Sequence, residues 1–473
     1  MSERANAAVM RAIAPPVSAP VLLALMLILA WASVPLGSNR AWSMAFLAAL
    51  VLGLAFIVLM SRLWRLTSFT LIPAARLPLV LLSAWAIYTL LQSVALPMGV
   101  IRIISPSAHE MWSAAGVHDL ATLSMDRGAS LARGLHLASL AAIFALAVNA
   151  LSNWQRMRFA AIVIVALGAL QALIGVSVAL GRSHGWLLSG PIEGVGGISG
   201  TYVNPNHFAG LLEMTLCVSV GLALSLRGPG LHFAGIRQFL LSLTGLLMSA
   251  RTPLFAAQVL ISVGLLWSGS RGALLSVTVA ITVTFFSLLP VRPNLSASGR
   301  LQAFASIMAI VVLALAWGGP GALADKFMTN GISSNRLELA KATASLGADF
   351  ALTGAGAGSF KSVFPSYKTN ALGIREYEHA HNDYLEIFAE GGAIGLCLFL
   401  SSIGVCAHRT LRAARRRRGR AARAMCAGCV AGCLSLLVHA CFDFNFQIPA
   451  NASMFVFILA MGLAAASLAR DPN

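Results

Sequence analysis

Charge is scarce in this sequence. Of 473 residues, 10% are Asp, Glu, Lys or Arg, against 58% hydrophobic. A soluble domain carries about 25% charge, so a water-soluble fold would lack the polar surface to cover itself. Lysine is scarcer still, and all four lysines fall between residues 319 and 391. No glycine-rich stretch ends in the Gly-Lys-Ser/Thr of a nucleotide-binding loop. Cys426-Ala-Gly-Cys429 has CxxC spacing, but no second pair lies in a loop and its neighbours are apolar. These thiols read as buried and inert, which argues against zinc and redox chemistry. No cleavage site follows Arg4 and Arg11, so the first apolar run reads as a retained span rather than a signal peptide.

What is present is a series of long apolar runs. They lie near 17–37, 42–61, 77–97, 134–151, 159–180, 207–226, 252–268, 272–291, 301–318, 392–408, 424–442 and 451–469. A bilayer core about 30 Å thick needs around 20 helical residues per crossing. The sequence therefore predicts an all-α polytopic membrane protein of about twelve spans, with its largest outward loop, 319–391, before the tenth.

Net charge is +17, which raises the question of a nucleic-acid partner. The distribution answers against it. Eight arginines crowd between Arg409 and Arg423, and smaller groups (Arg62 and Arg65, Arg156 and Arg158, Arg227 and Arg237) also sit between apolar runs. That is the positive-inside pattern of short cytoplasmic loops. With the N-terminus inside, alternate counting puts every one of these loops inside. Residues 238–250 are apolar but short for a crossing. A span there would invert every later loop, so they read as interfacial, re-entrant or a lengthened start to the next span.

The outward loops hold most of the polar chemistry. Residues 319–391 contain eight of the sixteen acidic residues, and their mixed charge suggests a small folded extracytoplasmic element. Within them Glu378-His379-Ala-His381-Asn382-Asp383-Tyr384-Leu385-Glu386 leads into a span. If helical, it would line up His381, Tyr384 and Leu385 on one side, with Glu378, Asn382 and Glu386 on another. An imidazole there can take a proton near neutral pH; a wet helix cap with incidental histidines explains the spacing equally. Arg336 precedes Gly354-Ala-Gly356-Ala-Gly358, readable as an anion clamp beside free backbone amides or as a surface arginine before a turn. Arg271, in Ser270-Arg271-Gly272, is the conspicuous arginine on the outward side; it either snorkels or binds an anionic group. Asn204-Pro-Asn206-His207 forms another outer polar edge, with a capped helix start as its plain reading. Asp443 and His439 would make an i,i+4 pair able to brace Arg271 or Arg336, unless the segment is a simple polar turn.

Taken in order, these residues resemble the O-antigen ligase/O-antigen (Wzy-type) polymerase superfamily of bacterial membrane glycosyltransferases. The strongest match is His381-Asn382, nine residues, Gly392, two residues, Gly395. The large loop with Arg336, Ser270-Arg271-Gly272 and the Asn204–His207 element also fit. The resemblance covers roughly 190–460 and suggests three regions. These are an N-terminal bundle at 1–190 with outer loop 98–133, a ligase-like catalytic region at 191–460, and a cytoplasmic tail at 461–473. It implies metal-independent transfer of a glycan from a polyprenyl diphosphate, without a cofactor, on the periplasmic face of the inner membrane. His381, Arg336 and Arg271 would be catalytic: His381 would orient or deprotonate the acceptor hydroxyl, and the arginines would bind the diphosphate. Asn382, Asn204, Asn206, His207, Asp443 and Tyr384 would contact substrate. The acceptor would be another lipid-linked glycan or lipid A-core, with a flippase and a chain-length regulator as partners. The Asp443–Pro449 segment leans toward polymerases of O-antigen or exopolysaccharide over ligases. A polysaccharide-related transporter without catalysis is the remaining alternative. It would keep charges near mid-membrane and show repeated halves; here the polar residues crowd the outer loops.

Overall fold

The computed structural model describes residues 18–64, 66, 69–181, 197–226, 235–238, 252–288, 332–417 and 419–468. The expected ninth run (301–318), nearly all of the short apolar stretch 238–250 and the N-terminal Arg4 and Arg11 lie outside these residues. The protein is all-α. Eleven of the twelve expected runs are helices: α1 (Ser18–Ser33), α2 (Ala41–Leu63), α3 (Pro73–Leu91), α6 (Arg127–Ala150), α7 (Trp154–Ala179), α8 (Pro205–Ser225), α9 (Thr252–Trp267), α10 (Arg271–Leu288), α13 (Asp383–Arg416), α14 (Arg420–His439) and α15 (Pro449–Ser467). Eight are long and apolar enough to cross a membrane, while α1, α9 and the apolar part of α10 are shorter.

Helix starts follow local chemistry. Pro73, Pro205 and Pro449 occupy first positions, where the missing N–H costs nothing. Asp126, Asn153, Asn204 and Asn382 cap α6, α7, α8 and α13 through their side-chain oxygens. α15 is the central helix, with 89% of its apolar window buried; α2 and α3 bury 28% of theirs and form the rim. α8 and α14 pack most closely where Gly221 meets Gly428. A Cβ on Gly221 would stand 2.8 Å from the Gly428 Cα. Small residues let the backbones approach, as in membrane helix pairs generally. One buried core runs from Val21 to Ala466 and includes helices from both halves of the chain.

The two ends of the bundle differ in chemistry. α13 runs from Asp383 to Arg416 and α14 returns from Arg420 to His439. At one end the arginines cap helix C-termini: Arg415 Nε donates to Ser287 O (3.0 Å) on α10, Arg420 Nε to Leu224 O (2.9 Å) on α8, and Arg417 to Ala466 O (2.8 Å) on α15. Terminal carbonyls carry the negative end of the helix dipole and favour such cations. Arg409 reaches Ala74 O at the start of α3, and Arg156 reaches Ser18 at the start of α1.

The opposite end carries a second, smaller core. α4 (Met98–Ile104), α5 (Pro106–Ala114), α11 (Ile332–Asp349) and α12 (Phe360–Val363) enclose Ile101, Leu346, Phe350, Phe360 and Phe364. A short antiparallel pair, β1 (Leu96–Pro97) with β2 (Leu120–Ala121), ties the first loop together in the register Leu96↔Ala121. The folded outer element expected of 319–391 is therefore built jointly with 98–121. The glycine run has a different role from the one expected. Ala355 and Gly356 amides donate to Ala389 O and Glu390 O (both 2.9 Å), and the Ala357 amide donates to Gln92 Oε1 (3.2 Å). These amides hold the cap to α13 and to the end of α3, and are not free to bind an anion.

Candidate functional site

His381 lies in the turn before α13, so the expected continuous helix through Glu378–Glu386 does not form; it begins at Asp383. The backbone of His381 is left-handed, φ 51°. Glu386 holds this turn: its carboxylate accepts from the Ala380 amide (2.7 Å) and lies 2.7 Å from His379 Nδ1. The His379 ring stacks on Phe444 at 4.2 Å, and the rings of His381 (4.8 Å) and His207 (4.4 Å) meet the same phenyl edge-on.

His381 Nδ1 is 3.2 Å from Asp443 Oδ1. Asp443 is buried, while the His381 side chain is 32% exposed. The same carboxylate oxygen accepts from the Phe444 amide (2.9 Å) and lies 3.6 Å from His207 Nε2. Burial alone would raise the Asp443 carboxyl; the His207 and His381 imidazoles outweigh it and hold the group well below the usual range. An ionised acceptor at Nδ1 requires the proton on that nitrogen, which leaves the lone pair on Nε2. Burial opposes a proton on His379, but the Glu386 carboxylate prevails and raises its pKa.

His439 ends α14 and points elsewhere. Its Nδ1 is 3.3 Å from Glu213 Oε1 on α8, and both side chains are buried. The Asp443 amide bonds the His439 carbonyl (3.1 Å), so the turn continues as expected. The side chains, however, take separate partners: Asp443 meets His381, His207 and the Phe444 amide, and His439 meets Glu213. A Cβ on Gly272 would stand 3.2 Å from His439 Nε2, which places Arg271 next to this imidazole's neighbour. Arg336, on the exposed side of α11, is within electrostatic reach of the same ring. His381, Arg271 and Arg336 thus lie at the end of the bundle opposite the arginine-rich linker, His381 against Asp443 and the two arginines on the side of His439.

Other residues expected to contact substrate also bond within the fold. Asn382 Oδ1 accepts from the Leu385 amide (3.0 Å) and its Nδ2 donates to Cys441 O (3.1 Å). Tyr384 donates to Leu437 O (2.6 Å), and Asn204 accepts from the Asn206 amide (2.8 Å). His207 is buried beside Asp443. Sequence reasoning missed Glu213 and Arg133. Glu213 is a lone carboxylate inside an apolar run, a signal of function in its own right. Arg133 lies in the second turn of α6 and acts electrostatically on His379, Asp383 and Glu390.

Residues 256–400 match the family model described as O-Antigen ligase (Wzy_C). The matched stretch contains Arg271, Arg336 and His381, while Asn204, His207 and Asp443 lie outside it. No curated protein matches the chain.

Proposed function

Through residues 256–400 this chain belongs to the O-antigen ligase/polymerase superfamily, and from that premise we propose that it polymerises glycan units carried on undecaprenyl diphosphate, at the periplasmic face of a bacterial inner membrane. The observation that carries the reading is the His381–Asp443 pair, a partly exposed imidazole whose Nδ1 is held by a buried carboxylate. His381 Nε2 takes the proton of the acceptor hydroxyl. The acceptor oxygen bonds to the anomeric carbon, and the bond from that carbon to the diphosphate oxygen breaks. The electron pair leaves on the diphosphate, where Arg271 and Arg336 neutralise it by charge-assisted hydrogen bonds. Asp443 sets the tautomer and stabilises the imidazolium, the role a buried carboxylate plays beside other catalytic histidines. The activated donor supplies the driving force, so neither ATP nor a metal is required, and transfer persists in EDTA. The lipid tail stays in the bilayer while the sugars react under the outer cap, which limits hydrolysis. A flippase supplies the donor and a chain-length regulator sets the product.

The test is purified protein with lipid-linked repeat units, with and without lipid A-core. Elongated lipid-linked product identifies a polymerase; product on the core identifies a ligase. His381→Ala abolishes transfer with membrane insertion intact, and normal product from it would sink the assignment. Asp443→Asn lowers the rate by as much as about 10⁴-fold, the cost of holding a catalytic histidine in the wrong tautomer.

A further inference from the structure

The proposed chemistry leaves unused a cleft between α3, α6, α13 and α15. Its outer end is lined by Arg133, His136 and Glu390, and its deep end by Leu140, Ile403 and Leu459. Polarity thus falls along the direction in which a lipid of the outer leaflet would insert, head outward and chain inward. Glu390 already has partners: its carboxylate accepts from the Phe360 amide (3.0 Å) and from the Gly358 amide. His136 does not. It is 1% exposed, and neither ring nitrogen has a hydrogen-bond partner. A buried polar group in that state costs stability unless something enters to satisfy it. Arg133 stands one turn before it on the same helix face and brings five N–H donors. A phosphate oxygen is the acceptor that such a pair recognises.

The location differs from that of the diphosphate site. α6 packs against α3 and α15, whereas α10, which carries Arg271, packs against α8 and α14. Arg133 nonetheless acts on His379 and Asp383, on either side of His381. We propose that this cleft is a berth for a second phosphate-bearing lipid, its phosphate at Arg133 and His136 and its hydrocarbon chain along Leu140, Ile403 and Leu459. The enclosed part measures about 50 Å³, so an entering chain must part the Phe399 and Phe455 rings that line it. Identifying this lipid as the glycan acceptor rests on the function proposed above; the berth itself does not. An isoprenoid phosphate and a phosphorylated acyl glycolipid share the required chemistry.

Full-length protein in nanodiscs, titrated with radiolabelled undecaprenyl monophosphate, tests the berth without catalysis. Arg133→Gln removes one saturable binding component, and Leu140→Trp, which fills the apolar end without touching charge, removes the same one. Arg271→Gln removes a different component. Displacement of the Arg133-dependent component by lipid A marks a ligase-type acceptor, and displacement by isoprenoid phosphates alone marks a polymerase-type one; either supports the berth. Unchanged binding in both Arg133→Gln and Leu140→Trp overturns it, as does equal displacement by phosphatidylglycerol. An Arg271→Gln variant that binds normally, with Arg133→Gln impaired, counts against the diphosphate assignment and leaves the berth standing.

Discussion

His381 sits with φ 51°, a conformation that costs a non-glycine residue about 1–3 kcal/mol. Three contacts fix it there: Glu386 on the Ala380 amide, the His381–Asp443 bond, and the Asp383 amide donating to Ala440 O (2.9 Å). Glu386 also raises the His379 pKa. A raised folded pKa means that protonated His379 stabilises the fold fully below its unfolded value of about 6.5. That contribution disappears as pH rises through the folded value. Thermal stability should therefore decline as pH is raised above about 6.5, and His379→Gln should flatten that decline; an unaltered slope would remove His379 from the account. The His381-Asn382 motif was legible in the sequence because its members are adjacent. Its partner was not, since Asp443 lies 62 residues away and only the α13–α14 hairpin brings it back. Arg271 was legible as a charge out of pattern and His439 as a residue able to brace it or Arg336; the pairing of His439 with Glu213 on α8 was not.

At the scale of elements, the break in α13 decides how the outer cap is attached. Gly392 has φ 62°, and a Cβ there would stand 2.3 Å from Leu352 O. Gly354 meets the same segment from the other side, where an added Cβ would stand 2.1 Å from Glu390 O. The cap and α13 thus touch backbone to backbone, which only glycine permits. Gly392→Ala should cost at least about 1–3 kcal/mol from the backbone conformation alone, with the clash added. Chemical denaturation of the detergent-solubilised protein measures it, and a neutral result would mean that the cap can shift to relieve the contact. The sequence shows these glycines plainly but does not say which use they serve. Glycine frees amides for a ligand as readily as it admits a neighbouring backbone. Helix existence was legible because twenty apolar residues have few other fates in a bilayer. The joint construction of the cap from 98–121 and 332–389 was not, because neither loop carries the whole of the small core.

Over the whole molecule, charge separates the two ends. Arginine clusters gather at one, and histidines with buried carboxylates gather at the other, joined by α13 whose stretch beyond Gly392 spans roughly 36 Å at 1.5 Å per residue. Alternate counting from the sequence reached this separation because loop arginines and span parity are independent signals that agree. It did not reveal that Arg415, Arg417 and Arg420 also bond the last carbonyls of α10, α15 and α8. Those arginines therefore serve insertion and folding together. Replacing all three by Gln removes three dipole-complementing caps worth about 0.3–1 kcal/mol each, and it weakens the orientation signal. Cys441, exposed at the histidine end, reports the second effect. In a Cys397→Ala background, a membrane-impermeant maleimide added to spheroplasts should label Cys441 in the parent. The triple variant should show both a lower melting temperature and a smaller labelled fraction. A lower melting temperature with full labelling would assign these arginines to capping alone and leave orientation to Arg62, Arg156 and the other basic loops.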